Sequence, residues 1–292
     1  MGRANDDRAS AAFQQGKFEA RWVASSGSEA MSELEQLRDA AMQAALAGGE
    51  IVRAHFGAAR DIEEKAPGDW VSAADLGSED AVRATLAKLT PNVDFFGEET
   101  GGDRNSNLAW YVDPLDGTAN FLHGCESVGV SIGLVRDGEP VVGVVHAPFY
   151  DRTFHGYQGG GAWCDAKRMI VSARVPASAI PSTGFPFRLK HRKPAYLHAF
   201  QAAFATFEDL RRAGAASLDL SWTASGVFDG HFELGLGTWD VAAGALLVRE
   251  AGGVVTDWHG DANGFLWSGD ILAGPPQVHS VLLDIAQQHI DT

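Results

Sequence analysis

Two apolar, strand-like runs in this chain each end in a turn that carries carboxylates. Val93-Asp94-Phe95-Phe96 leads into Gly97-Glu98-Glu99-Thr100, and Leu108-Ala109-Trp110-Tyr111-Val112 leads into Asp113-Pro114-Leu115-Asp116-Gly117-Thr118. Strand ends that release acids into a turn hold them on a stiff edge, where they converge on one point. A third piece, Trp239-Asp240 at the start of a helical run far along the chain, supplies another acid. Runs of strands mixed with flanking helices call for stacked sheet and helix layers.

The residue types suit a hard cation. Magnesium takes oxygen ligands in octahedral geometry and binds through a few carboxylates together with phosphate oxygens. Pro114 fixes its own φ and pushes Asp113 toward an extended conformation, which stiffens the turn between Asp113 and Asp116. Gly117 permits a close approach of backbone to a ligand. Thr118 adds a hydroxyl, and a helix opening there through Asn120-Phe121-Leu122 would turn its first amides into a phosphate seat. Any one of these acids alone reads as a helix cap or a turn, since Asp-Gly is a common turn pair. The full pattern Asp-Pro-any-Asp-Gly-Ser/Thr arises by chance on the order of 10⁻⁶ per start position.

Elsewhere the periodicities are ordinary. Leu34, Leu37, Ala41, Ala44 and Ala45 mark a helical face behind Ser32 and Glu35, which have capping-box spacing. A second helix is expected from about Asp75 to Leu89, stopped by Pro91. Val128, Val130, Ile132 and Leu134 alternate as in a strand, Asp137-Gly138 signals a hairpin, and Val141 to His146 is the return strand. Thr153 to Ala162, Met169 to Val171 and His231 to Leu236 are further strand candidates. Lys193 to Phe207, Leu218 to Ser225 and Asp240 to Ala251 read as helices, the last ended by Gly252-Gly253. Residues 1–30 mix charged and small residues without periodicity. They read as an N-terminal extension, either a flexible native arm or vector-derived sequence, with Met31 as the natural start. They lack the apolar stretch of a signal peptide.

Composition sets limits. A chain of 292 residues, 45% of them apolar, can bury a large core. The net charge of −15 argues against a nucleic-acid backbone as partner. It would also repel a phosphate ester, unless clustered carboxylates first bind cations that in turn bind the phosphate. Cys125 and Cys164 supply neither a disulfide framework nor a zinc pattern, which suits a reducing cytoplasm. His123, His146 and His155 lack zinc spacing. No apolar run approaches the roughly eighteen residues of a membrane span. Gly159-Gly160-Gly161 is not a P-loop, and no Gly-x-Ser-x-Gly turn presents a serine nucleophile.

The hexapeptide Asp113–Thr118, followed by Ala-Asn-Phe-Leu-His-Gly124, resembles the metal motif of the inositol monophosphatase family. Trp239-Asp-Val-Ala-Ala-Gly244, running on to Glu250-Ala-Gly-Gly253, is similar to that family's second signature. Asp69-Trp-Val-Ser-Ala-Ala-Asp75 and Gly97-Glu98-Glu99 resemble its upstream elements. The resemblance covers about Ser32 to Ala286. It implies an α+β fold, the five-layer αβαβα sandwich of the inositol monophosphatase and fructose-1,6-bisphosphatase type. Residues 31–180 would form an N-terminal subdomain with the main metal site, and 181–292 a C-terminal subdomain supplying Asp240 and substrate contacts.

By resemblance, Glu98, Asp113 and the Leu115 carbonyl match a first metal site, and Asp113, Asp116 and Asp240 a second. Asp75 with Glu98 matches a weaker third site. Two or three Mg²⁺ ions are implied, with lithium sensitivity and a homodimer. Glu98 and Thr118 resemble the pair that orients the attacking water. Gly117, Thr118 and Ala119 would offer amides to the phosphate, whereas Ala216 and Glu233 would contact the polyol, joined on the substrate side by Asp116 and Asp240. Lys65 and Glu99 fall just outside the metal ligands. Ser72, Ala119, Ala215 and Ser217 depart from the family pattern. The implied activity is Mg²⁺-dependent hydrolysis of a small phosphorylated polyol, foremost myo-inositol 1-phosphate, in the cytoplasm, without nucleic acid or membrane as partner. The alternatives are a phosphatase of histidinol phosphate, fructose 1,6-bisphosphate, a nucleotide 3′-phosphate or NADP, and a non-catalytic regulatory or binding protein.

Overall fold

The hairpin at Asp137-Gly138 organises the larger sheet. Both residues take positive φ, 51° and 82°, the backbone of a tight turn whose twist matches its strands. A computed structural model describes residues 32–57, 62–66, 69–187 and 189–289; the N-terminal extension expected at 1–30 lies outside them. In chain order the elements are α1 (Glu33–His55), β1 (Glu63–Ala66), β2 (Asp69–Val71), α2 (Ala73–Leu89), β3 (Asp94–Gly97), β4 (Leu108–Asp116), α3 (Thr118–Leu122), β5 (Gly129–Arg136), β6 (Glu139–Ala147), β7 (Arg152–Tyr157), β8 (Gly161–Cys164) and β9 (Lys167–Arg168). They continue with β10 (Ser182–Thr183), α4 (Lys193–Thr206), α5 (Ala216–Ala224), β11 (His231–Glu233), α6 (Thr238–Glu250), β12 (Val254–Thr256), α7 (Phe265–Ser268), β13 (Ile271–Gly274) and α8 (Pro276–His289).

Strands β3 to β9 form one sheet in sequence order, parallel only between β3 and β4. A second sheet has the order β10-β11-β13-β12, and β1 pairs with β2. Three apolar cores stack these elements. Ala41, Ala45 and Val52 of α1 and Val82 and Leu86 of α2 pack on Trp110, Val130, Ile132 and Leu134. The other face of the sheet, with Tyr111 and Val145, meets Leu218 and Leu220 of α5 and Val241 and Leu247 of α6, which also cover Ile271 and Ala273. The outer face of the smaller sheet, through Phe232 and Leu272, receives Tyr196 and Ala199 of α4 and Leu282 of α8. The result is the αβαβα sandwich.

The central helix α6 lies almost directly on sheet backbone. A Cβ built at Gly133 would sit 2.6 Å from Ala242 Cβ, and one at Gly143 would sit 2.5 Å from the Ala243 carbonyl oxygen. Ser131 Oγ donates to the Trp239 carbonyl at 3.0 Å, at the start of α6. Gly143→Ala must therefore displace α6 or bend β6. It is expected to cost about 1–3 kcal/mol, the range for overpacking a tight interior, read as a lower urea midpoint at unchanged m-value.

Three expectations are corrected. The segment Asp113–Asp116 is not a turn beyond the strand: β4 continues through it, with Asp113 opposite Ser131 and Asp116 opposite Gly129. One extra residue on β4 is absorbed there as a bulge, which twists the strand and re-aims its side chains. Met169–Val171 is not a strand. Instead, Met169 donates to the Ala162 carbonyl and Val171 to the Ala251 carbonyl, so the chain leaves the sheet edge. The strand expected at His231–Leu236 stops at Glu233, because Gly235 takes φ 76° and its amide turns to Asp270 Oδ1 at 3.1 Å.

Candidate active site

The bulge brings Asp113 and Asp116 together, and α6 delivers Asp240 to them from the layer above. Carboxylate oxygens of the three lie within 4.8 Å of one another, and all three residues are buried. Each carboxylate is held by the backbone. Asp113 Oδ1 accepts from the Leu115 amide at 2.9 Å. Asp240, in the first turn of α6, accepts from the Gly237 amide at 2.6 Å through Oδ2. Asp116 Oδ2 accepts from the Ser217 amide at 2.7 Å and the Ser217 hydroxyl at 2.5 Å.

The electrostatics of this cluster are costly. Burial raises the Asp113 carboxyl well above the carboxylate range, and the charges of Glu98, Asp116 and Asp240 push it further. Asp116 is carried to about 7 by burial and by Asp240, although the two Ser217 hydrogen bonds act against the rise. Adjacent carboxylates without a counter-ion cannot all ionise at low cost. The all-oxygen donor set and its crowding of negative charge fit a hard divalent cation, which would reverse the sign of each interaction.

A second group sits beside the first. Thr118 opens α3 immediately after Gly117, whose φ of 92° a side chain rarely adopts. A Cβ on Gly117 would also approach the Ser127 carbonyl to 3.0 Å. The Thr118 hydroxyl donates to Asp75 Oδ1 at 3.0 Å. The other oxygen of Asp75, Oδ2, accepts from Ser72 N at 2.8 Å and Ser72 Oγ at 2.7 Å, so Asp75 serves as the acid of the α2 capping box. Burial raises the Asp75 carboxyl and these hydrogen bonds oppose it.

Glu98 and Glu99 follow β3. Lys65 Nζ lies 2.8 Å from Glu99 Oε1 and 3.6 Å from Glu98 Oε1. Glu99 therefore spends its charge on Lys65, whereas Glu98 lines the cleft. The same cleft is lined by Asp113, Leu115, Asp116, Gly117, Thr118, Ala119, Ala216, Glu233 and Asp240, with Phe185 and Phe187 forming an apolar wall. The structure thus gathers the expected residues around one cleft and its immediate surround, with Asp75 reached through Thr118, and Lys65 and Glu99 through Glu98.

Several supports were not foreseen. Glu79 is buried beneath the Gly97–Thr100 turn, where it accepts from the Glu99 amide at 2.9 Å and from the Thr100 hydroxyl, and pairs with Arg83 at 3.1 Å. In sequence Glu79 and Arg83 read as a solvated i,i+4 pair, and nothing local signals burial. Asn120 Nδ2 ties the Ser127 and Ala213 carbonyls, at 2.7 and 2.9 Å, which joins the start of α5 to α3. Ser217 appears in the sequence only as a departure from a pattern, but here it is the partner of Asp116.

Known proteins resemble this chain over most of its length. The model of the inositol monophosphatase family matches residues 33–291. The chain is 37% identical over 265 residues to a fructose-1,6-bisphosphatase/inositol-1-monophosphatase of Aquifex aeolicus, covering 89% of this chain and 99% of that protein. It is 38% identical over 247 residues to an inositol-1-monophosphatase of Mesorhizobium japonicum, covering 83% and 92%. The crystal structure of the extragenic suppressor protein suhB from Bartonella henselae superposes with a TM-score of 0.80 at 36% identity, over 86% of this chain and 98% of that one.

Proposed function

The chain belongs to the inositol monophosphatase family, and on that premise we propose that it hydrolyses a small phosphorylated polyol with Mg²⁺, myo-inositol 1-phosphate being the first candidate. One observation carries the proposal: three buried carboxylates converge beside the amino end of a short helix, in a cleft that also contains the carboxylate of Glu233. A protein that only bound a partner would gain nothing from burying this much clustered negative charge.

In this reading Asp113, Asp116, Asp240, Glu98 and the Leu115 carbonyl would hold the metal. When bound, Mg²⁺ neutralises the phosphate charge, lowers the pKa of water and stabilises the leaving oxygen. The chain's own groups do the rest. The first amides of α3 have no upstream carbonyl to serve and are free for phosphate oxygens. The Thr118 hydroxyl donates a hydrogen bond to Asp75, which leaves an Oγ lone pair to orient the attacking water; as the water's proton moves to Oγ, the hydroxyl proton would pass to the Asp75 carboxylate. Glu98, just after β3, would face the same water. Ser217 fixes Asp116, and the Glu233 carboxylate accepts a hydrogen bond from a substrate hydroxyl while Ala216 lies against the ring. The Phe185 and Phe187 wall excludes water from the apolar side.

The test is phosphate release from myo-inositol 1-phosphate with Mg²⁺ and with EDTA. It is run beside fructose 1,6-bisphosphate, histidinol phosphate, a nucleotide 3′-phosphate and NADP. EDTA-sensitive release that favours the inositol ester is the expected result. Preference for another ester would keep the reaction and move the specificity. Release from none of them would overturn the phosphatase reading.

A further inference from the structure

Glu233 does not stand alone at the edge of the cleft. It shares the β11 face with His231, two residues earlier, as the strand repeat requires. His231 is fully buried, and its Nε2 lies 3.4 Å from Glu233 Oε2. Its Nδ1 lies 2.9 Å from Ser182 Oγ, on the neighbouring strand β10, and Ser182 is likewise fully buried. Nε2 makes no aligned hydrogen bond among the described residues, so the Glu233 carboxylate meets it as a close charged contact.

This geometry selects a tautomer. If Nδ1 carried the proton and donated to Ser182, the bare Nε2 lone pair would face a carboxylate oxygen in a site closed to water. That arrangement is repulsive. With Ser182 Oγ–H donating to Nδ1, the proton sits on Nε2, where the Glu233 carboxylate 3.4 Å away becomes an attractive neighbour. The hydroxyl has a competing acceptor in the Gly230 carbonyl, but at 3.3 Å, and that carbonyl already receives the Ser182 amide at 2.8 Å.

The opposite side of the carboxylate is fixed by backbone. A Cβ built at Gly184 would lie 1.9 Å from Glu233 Oε1, so residue 184 must lack a side chain for Glu233 to occupy its place. The Glu233 carbonyl accepts from Trp258 Nε1 at 3.2 Å, which anchors the strand end.

We propose that His231 is a positioning residue: with Ser182 setting its tautomer, it holds the Glu233 carboxylate in the rotamer that reads substrate hydroxyls. The proposal rests on the phosphatase reading above and adds how discrimination between hydroxylated and plain esters is built. His231 touches no reacting atom. It acts by keeping Glu233 ordered between the charged contact at Nε2 and the Gly184 backbone, so that binding a polyol requires no reorganisation of that side chain.

Two measurements test this. Steady-state kinetics compare myo-inositol 1-phosphate with p-nitrophenyl phosphate, an ester without hydroxyls for Glu233 to bind. His231→Phe is expected to raise KM for the inositol ester about tenfold more than for p-nitrophenyl phosphate, with kcat nearly preserved, the pattern of a lost ground-state contact. His231→Gln, which restores an N–H donor, should recover most of that difference. Equal losses on both esters, or no loss on either, would overturn the proposal. The second measurement does not depend on turnover. Long-range ¹H–¹⁵N spectra of wild-type histidines should show His231 protonated at Nε2, with that resonance shifted in Glu233→Gln. Protonation at Nδ1 alone would refute the assignment. Wild-type protein that cleaves neither ester would fail the phosphatase reading while the spectra still decided the His231–Glu233 contact.

Discussion

Asp113→Asn is expected to remove essentially all turnover, by at least about a thousandfold, while raising the melting temperature of the metal-free protein. Both effects have one cause. Asp113 sits where burial and the charges of Glu98, Asp116 and Asp240 all raise its carboxyl. An amide of nearly the same shape keeps an oxygen to accept from Leu115 N but carries no charge. The site then loses the anionic oxygen that a hard cation needs at its centre, and electrostatic stabilisation of the reacting phosphate goes with it. The folded protein also sheds a repulsion among carboxylates, and each kcal/mol recovered shifts the melting point of a domain of this size by roughly 2–4 °C. Phosphate-release kinetics and thermal melts in EDTA read the two effects separately. Near wild-type turnover in this variant would sink the proposed metal centre.

The second large effect concerns pH. Asp116 titrates at about 7 in the folded protein and at 3.8 as an unperturbed aspartate. Between those values the folded state keeps a proton that the unfolded chain has released. This group's stabilising contribution is complete below pH 4 and is lost as pH rises through 7. This contribution, read as wild type minus Asp116→Asn, is therefore expected to favour the metal-free fold more at pH 5.5 than at pH 8, by a few kcal/mol. His146 and His155, which burial lowers to about 4, pull the total the other way. Saturating Mg²⁺ should cancel the loss at pH 8, because a cation that binds only the folded state at a hundred times its Kd adds about 2.7 kcal/mol. A difference between wild type and Asp116→Asn that does not change with pH in EDTA, or wild-type stability indifferent to Mg²⁺ at pH 8, would show that these carboxylates are not coupled as the structure places them.

Much of this arrangement was legible in the residues. The hairpin at Asp137-Gly138 and the alternation from Val128 to Leu134 identify β5 and β6, since turn chemistry and period two are local signals. The acids were recognisable from the density of an unusual hexapeptide. The continuation of β4 through that hexapeptide was not, because Pro114 and Asp-Gly are read as strand terminators and a bulge leaves no composition of its own. Glu79 was equally invisible. A helical glutamate four residues from an arginine is usually solvated, and only the fold of the Gly97–Thr100 turn over α2 buries it. Ser217 and His231 belong to the same class, because each acquires its partner across a distance in sequence, from Asp116 and from Ser182.

The placement of residues on the two sheets has a consequence for how such a protein can change. The acids proposed to handle phosphate lie on or beside the seven-stranded sheet and at the amino end of α6, which rests on bare glycine backbone at Gly133 and Gly143. The residues proposed to face the rest of the substrate, Glu233 and the Gly184–Phe187 segment, hang from the four-stranded sheet. On the proposed function, reaction and selectivity are thus mounted on separate supports. A lineage can exchange residues on the smaller sheet and acquire a new ester without disturbing the acids that cleave it, whereas almost any change under α6 is felt by the reaction itself.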